Sequence, residues 1–320
     1  MNVIITKDIY IKAAQYFDQC GIKLLLFPDG AEEEMLKTHR ETGTKCFIIG
    51  TTRYSDYFYQ SLSPGSMIVR FGVGYDSVPV GLCKERQIYV SYTPGTLDES
   101  VAEHTIGLIL SYARRLIEAD AAVKNATWGI SPGIELKEKT LAVVGFGKIG
   151  RRTAEIAKYG FGMKINAFDI FMELDQKFSA LVDFYSPDFK SVVNGADFVS
   201  LHMPVTQKTI GFIDRFKLAL MKKEAVLVNT SRGKLINESD LYDALQEGVI
   251  SGAALDVFQQ EPYSPVAGKD LRTMSNVVLT PHIASNTKEA NRRMAELSVK
   301  NCLNYYKGDF TEIELIPEMK

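Results

Sequence analysis

Short apolar runs alternate with helix-length segments along nearly the whole chain, and this alternation restricts the fold more than any other feature of the sequence. Residues 3–5, 23–27, 46–49, 67–71 and 88–90 form one series of such runs, and residues 141–144, 164–168, 197–201, 225–229, 252–256 and 277–280 form a second. Strands buried on both faces of a parallel sheet read as continuous apolar runs, and the intervening helices cover those faces. The expected fold class is α/β: two doubly wound parallel-sheet domains, Rossmann- or flavodoxin-like, with a cleft between them. A length of 320 residues fits this division, because it exceeds what one hydrophobic core usually holds.

Between the two series the pattern changes. Thr96-Leu-Asp-Glu99 has the spacing of a capping box and follows a Pro94-Gly95 turn, which predicts one long helix from Ser100 to about residue 123. Asn237-Glu-Ser-Asp240 predicts an N-cap and an acidic first turn for a helix ending near Gly248. Ala290, Met294, Leu297, Val299 and Leu303 predict a last helix over 287–306. His39 follows Glu32-Glu-Glu34 in a polar stretch and is expected at the surface.

Gly145-Phe-Gly147-Lys148-Ile149-Gly150 directly follows the apolar run 141–144 and opens a helical stretch through Tyr159. That context gives the glycine pattern its meaning: a tight turn, a close approach of backbone to a pyrophosphate, and helix N–H groups facing the phosphates. Lys148 and Ile149 would take part through their backbone. Asp169 ends the next apolar run, nineteen positions after Gly150, where a carboxylate accepts hydrogen bonds from ribose hydroxyls and repels a 2′-phosphate. Ile170 and Phe171 follow it and offer no cation for that phosphate, so NAD is the expected cofactor.

Three further segments fall at or just beyond predicted strand ends, where open α/β sheets place their sites: Val228-Asn-Thr-Ser-Arg-Gly233, Ala254-Leu-Asp-Val-Phe-Gln-Gln-Glu-Pro262 and Thr280-Pro-His-Ile-Ala-Ser285. Together with the glycine motif, and with Arg70-Phe-Gly-Val-Gly-Tyr-Asp76 and Ser100-Val-Ala-Glu-His104 upstream, they closely resemble the D-isomer-specific 2-hydroxyacid dehydrogenases over about residues 70–286. The resemblance implies an NAD-dependent oxidoreductase that interconverts a 2-oxo acid and a D-2-hydroxy acid, a CH-OH donor. It also implies a substrate-binding domain of residues 1–98 plus 287–320, an NAD-binding Rossmann domain of residues 99–286, closure about a hinge, and a cytoplasmic homodimer joined through the nucleotide-binding domain by the helix from Ser100.

Chemistry supports the roles so implied. Hydride transfer to a carbonyl carbon needs a proton for its oxygen, and His282 is the expected donor in reduction and acceptor in oxidation. Glu261 is expected to pair with its imidazole, and Arg232 to hold the substrate carboxylate and polarise the carbonyl. Val73 and Gly74 are expected to present backbone N–H groups to the same carboxylate. Asp256 is expected to orient the nicotinamide carboxamide, with Thr230 and Met203 bordering the cofactor. Structural or supporting roles are expected for His104 and His202. Glu261, where a Gln would be expected in formate dehydrogenase relatives, argues against that branch.

The substrate stays open among phosphoglycerate, hydroxypyruvate or glyoxylate, lactate and branched 2-oxo acids. Arg53 is read as a solvated loop charge, and the aromatic run Tyr54 to Tyr59 either lines the substrate mouth or packs locally. An alternative reading is an NAD-sensing corepressor-like binding protein of the same fold, which peptide binding without turnover would distinguish. Composition narrows the partners. A formal charge of −2 supplies no basic surface for nucleic acid, and no apolar stretch approaches a membrane span. Cys20, Cys46, Cys83 and Cys302 lie far apart without CxxC spacing, which argues against a disulfide framework or a zinc site and for a reducing compartment. No export signal and no extra C-terminal regulatory domain are expected.

Overall fold

The computed structural model describes residues 1–129, 131–170 and 176–320, so that Phe171 lies outside the described residues. The chain divides into two compact units, Met1–Leu97 together with Asn286–Lys320, and Asp98–Ser285.

In the first unit β1 (Asn2–Thr6), β2 (Lys23–Phe27), β3 (Cys46–Ile49), β4 (Met67–Arg70) and β5 (Tyr89–Ser91) form a parallel sheet of order β2-β1-β3-β4-β5. This is the flavodoxin-like order. Tyr54, Phe58 and Tyr59 enter its core beside Phe47 and Ile68, so the aromatic run serves mainly local packing, with only Tyr57 of these four aromatic residues exposed. Arg53 is exposed.

His39 corrects the surface expectation. It is buried on the helix Glu32–Thr42, on the inward face with Met35 and Leu36, at the three- and four-residue spacing that aligns side chains on a helix. Its Nε2 accepts from Ser63 N–H at 3.1 Å, so the proton sits on Nδ1, which donates to Thr44 O at 2.6 Å. The last helix, Lys288–Lys307, is capped by the Thr287 hydroxyl, which accepts from Ala290 N–H. It returns to this first sheet and packs on β4. In the loop after β4, Gly72 has φ +137°, donates to Thr93 Oγ1 at 2.9 Å and accepts from Thr93 N–H at 3.0 Å. Thr93 thereby fixes the turn that carries Val73 and Gly74, both half-buried.

In the second unit β6 (Thr140–Val144), β7 (Lys164–Phe168), β8 (Phe184–Ser186), β9 (Phe198–Leu201), β10 (Val226–Asn229), β11 (Gly252–Leu255) and β12 (Val277–Leu279) form a parallel sheet. Its order is β12-β11-β10-β9-β6-β7-β8, and the direction of winding reverses between β6 and β9. β8 is an edge strand that apolar patterning did not indicate. Alternate residues of each strand supply opposite cores: Leu141, Val143, Val226 and Val228 pack on one face, and Ala142, Val144, Leu227 and Leu255 on the other. Burial on both faces is the reason these strands read as unbroken apolar runs.

The long helix expected from Ser100 is two helices, Asp98–Ala113 and Leu116–Lys124, broken where Arg115 adopts φ +52°. The Thr96 hydroxyl donates back to Thr93 O at 2.8 Å, and the helix begins at Asp98. The helix Glu238–Gln246 matches expectation: Asn237 caps it by accepting from Asp240 N–H, and Gly248 follows at φ +68°.

Candidate active site

Because every strand of the second sheet runs the same way, their carboxyl ends share one edge, and the segments picked out from the sequence all leave from it. Gly145–Gly150 follows β6, Asp169 follows β7, Met203 follows β9, Arg232 follows β10, Asp256 and Glu261 follow β11, and His282 follows β12.

At the reversal point the glycines are required by space. A Cβ on Gly145, whose φ is +97°, would lie 2.8 Å from the carbonyl carbon of His202 and 2.9 Å from Met203 N. One on Gly150 would lie 2.2 Å from Gly145 O. Gly147, by contrast, is exposed with nothing within 4 Å of where its Cβ would sit, and it precedes the helix Lys148–Glu155. Lys148 is exposed and Ile149 half-buried, so both sit in the first helical turn with their N–H groups at its open end. A crowded turn, an open glycine and a free helix start fit a dinucleotide pyrophosphate. Asp169 is half-buried and its Oδ2 accepts from Phe146 N–H at 2.9 Å, which ties the carboxylate to the glycine turn.

The loop after β10 is held by an asparagine. Asn229 is fully buried; its Nδ2 donates to Arg232 O at 2.9 Å and its Oδ1 accepts from Ser231 N–H at 3.0 Å. Ser231 Oγ donates to Met203 O at 2.6 Å, and Thr230 Oγ1 lies 2.8 Å from Thr105 Oγ1. Thr105 gives its proton to Val101 O, so Thr230 is the donor in that pair. Arg232 itself is half-buried, with one guanidinium nitrogen on Ser231 O at 2.7 Å.

His282 Nδ1 lies 2.6 Å from Glu261 Oε2, and Glu261 Oε1 accepts from Phe258 N–H at 3.0 Å. About a third of each side chain is exposed, at 30% and 35%. A carboxylate on Nδ1 fixes the ring and its tautomer, which leaves Nε2 as the nitrogen for proton exchange. The imidazole is held from behind as well. His282 adopts φ +54° and donates its N–H to Asp256 O at 2.7 Å. Asp256 is fully buried, and its carboxylate accepts from Thr280 Oγ1 at 2.5 Å, Ile283 N–H at 2.9 Å and Ala284 N–H at 2.8 Å. Burial alone would raise its pKa, but the bonds from His104, Thr280, Ile283 and Ala284 outweigh it and hold Asp256 below the ordinary carboxylate range. Since Thr280 gives its proton to Asp256, His104 Nε2, 3.1 Å from Thr280 Oγ1, must be the donor to that hydroxyl.

His202 is a different case, for burial pushes its pKa down to about 4 and keeps it neutral beside Ser200 Oγ at 2.9 Å. Three contributors escaped sequence reasoning. Asn229 and Gly233 flank Arg232 without a chemistry-bearing side chain to signal them, and Glu238 has in sequence only the pattern of a helix first-turn acid. A Cβ on Gly233 would fall 1.9 Å from the Phe258 carbonyl carbon, so the Arg232 loop and the Glu261 loop touch backbone to backbone.

A dinucleotide loop at the sheet's reversal point, with an arginine and a histidine–carboxylate pair on the same edge, defines a nicotinamide-dependent dehydrogenase of hydroxy acids. A family model described as "D-isomer specific 2-hydroxyacid dehydrogenase, NAD binding domain" matches residues 106–284. Among curated relatives, glyoxylate reductase from Thermococcus litoralis is 42% identical over 252 residues, covering 76% of this chain and 74% of that protein. D-3-phosphoglycerate dehydrogenase from Methanocaldococcus jannaschii is 34% identical over 314 residues, covering 98% of this chain and 59% of that one. The crystal structure of D-lactate dehydrogenase from Aquifex aeolicus, complexed with NAD and lactic acid, superposes with TM-score 0.84 at 28% identity, covering 98% of this chain and 99% of that one. The chain belongs to the D-isomer specific 2-hydroxyacid dehydrogenase family. It is an NAD-dependent oxidoreductase that interconverts 2-oxo acids and 2-hydroxy acids. Among the described residues no helix is long and apolar enough to cross a membrane.

Proposed function

We propose that this enzyme reduces a short 2-oxo acid, glyoxylate or hydroxypyruvate, to the matching 2-hydroxy acid, the D isomer where the product is chiral, with Arg232, Glu261 and His282 as its catalytic residues. The observation that carries the reading is the 2.6 Å contact between His282 Nδ1 and Glu261 on the edge that also carries Arg232 and the glycine loop. Bound NADH would supply the hydride to the carbonyl carbon. The chain's own work is to deliver the matching proton from His282 Nε2 to the carbonyl oxygen, with Glu261 stabilising the imidazolium. Arg232 holds the substrate carboxylate and polarises the carbonyl. Val73 and Gly74 keep the role of presenting backbone N–H groups to an acid. Glyoxylate is favoured over phosphoglycerate by the similarity to glyoxylate reductases and by the exposure of Arg53.

Gly145, Gly147, Lys148, Ile149 and Gly150 would hold the pyrophosphate, with Met203 and Thr230 beside the cofactor. Asp256 keeps the proposed role of orienting the nicotinamide carboxamide and also shapes the loop of His282, since its carboxylate accepts from Thr280, Ile283 and Ala284. Asp169 would take the adenosine ribose. Replacing Asp169 with alanine is expected to weaken NADH binding about tenfold and to narrow the preference over NADPH, read from fluorescence titrations with each cofactor. Unchanged affinities for both would remove Asp169 from the ribose site.

The enzyme is further proposed to be a cytoplasmic homodimer joined through the nucleotide-binding unit. The apolar surface that supports this follows the helix Asp98–Ala113 and does not lie on it: Leu116, Ile117, Val123 and Ile134 are exposed, and Trp128 is 92% exposed. So many exposed apolar side chains within residues 116–134 favour an interaction surface there. Trp128→Glu is expected to lower the mass found by light scattering to that of one chain; an unchanged mass places the interface elsewhere.

The test of the function is NADH oxidation at 340 nm with glyoxylate, hydroxypyruvate, pyruvate, 2-oxoisocaproate and phosphohydroxypyruvate, with NADPH in parallel. Fastest turnover on glyoxylate or hydroxypyruvate supports the reading. Fastest turnover on phosphohydroxypyruvate or a branched acid overturns the substrate class, and tight NADH binding without turnover on any acid overturns the catalytic reading in favour of a corepressor-like binding protein.

A further inference from the structure

Glu238, in the first turn of the helix Glu238–Gln246, is 5% exposed and has no ion pair among the described residues, an unusual place for a carboxylate. One of its oxygens accepts from the backbone N–H of Gln259, and Oε2 has no hydrogen-bond partner among the described residues. The adjacent N–H, that of Phe258, donates to Glu261, which in turn holds His282. Two consecutive peptide N–H groups thus bind two carboxylates, one buried and one beside the imidazole.

The same stretch is anchored to the segment after Arg232 at two more points. Gln259 Nε2 donates to Ile236 O at 2.9 Å, and Gly233 abuts the Phe258 backbone with no room for a Cβ. A backbone stretch fixed at three points has little freedom to rotate, and the bond from Phe258 N–H then sets where the Glu261 carboxylate sits.

We infer that Glu238 is a positioning residue for the reaction: by accepting from Gln259 N–H it orients the Phe258–Gln259 peptides so that Glu261 meets His282 in line with Arg232. This rests on His282 being the proton donor. Burial raises the Glu238 pKa, opposed by the Gln259 bond and assisted by the nearby Glu261 charge, and what the Gln259 N–H requires is an acceptor oxygen, not a charge. A neutral acceptor in the same place should therefore serve, and an apolar side chain of similar length should not.

The experiment compares Glu238→Met, Glu238→Gln and a His282→Ala control in the full-length enzyme, by single-turnover NADH oxidation and by KM for glyoxylate and NADH, after thermal melts establish folding. E238M is expected to slow the single-turnover step about 10- to 100-fold with both KM values within about twofold, because misplacement of a catalytic group by about 1 Å costs up to that much. E238Q, whose carbonyl oxygen still accepts from Gln259 N–H, is expected to stay within about threefold of wild type. Where E238M does not fold, Glu238→Asp, one methylene short of that N–H, is read in its place. Wild-type rates in the methionine variant overturn the inference, as does a glutamine variant equally slow, or a rise in KM without loss of rate. If E238M is fast while H282A is dead, only the positioning role fails; if H282A turns over normally, the proton-donor reading itself is wrong.

Discussion

Replacing His282 with alanine is expected to lower kcat for 2-oxo acid reduction by about 10²- to 10⁴-fold, the range that a positioned general acid contributes. That corresponds to about 3–5 kcal/mol of transition-state stabilisation. The expectation follows from geometry. Nδ1 is committed to Glu261 at 2.6 Å, the backbone N–H is committed to Asp256 O at 2.7 Å, and the ring is therefore held with Nε2 as its reactive end. Among the described residues the hydrogen bond of this ring goes to Glu261 and none joins it to the glycine turn after β6, so NADH affinity, followed by fluorescence, should change little. Stopped-flow rates near wild type for the alanine variant would mean that another group, or solvent, delivers the proton.

Gly233→Ala is expected to be nearly as damaging, although glycine 233 carries no functional group. A Cβ there would meet the Phe258 carbonyl carbon, oxygen and Cα at 1.9, 2.1 and 2.4 Å, all backbone atoms that cannot swing aside. Forcing them apart should cost about 2–3 kcal/mol, as overpacking of a tight contact does. In a unit of this size the thermal midpoint would then fall by roughly 4–12 °C. Catalysis should fall by about 100-fold in the molecules that stay folded, because the methyl group drives the Arg232 and Glu261 loops apart. Calorimetry and turnover measured on one preparation check both. A variant with an unchanged midpoint and unchanged turnover would show that the two loops are not locked together.

Two sheets and the positions of Arg232, Glu261 and His282 at strand ends were legible from sequence because burial on both faces writes itself as unbroken apolar runs, and because the glycine turn demands its residues locally. What was not legible depends on contacts distant in the chain. β8 is three residues, Phe184-Tyr-Ser186, of mixed polarity at the sheet edge, and edge strands have little burial to encode. The helix break at Arg115 carries neither glycine nor proline, so no local signal announced it. His39 sat among charged residues, yet the three- and four-residue spacing from Met35 and Leu36 was available and would have placed it inside. Glu238 is legible as a helix N-terminal acid and illegible as a partner of Gln259, since the bond spans the intervening helix and strand β11.

The first unit is assembled from both sides of the second, with residues 286–320 completing a sheet whose strands all lie before residue 98. A chain emerging in order from the ribosome therefore presents β1 to β5 long before the helix Lys288–Lys307 exists to cover β4. Asp98–Ser285, by contrast, is contiguous and has all its own strands as soon as it is made. Synthesis thus favours an order in which the dinucleotide-binding unit matures first and the other waits, partly uncovered, for its last helix. During that interval Met294, Val299 and Cys302 are missing from the apolar surface they will share, which makes the interrupted unit the more aggregation-prone of the two while the chain is being made.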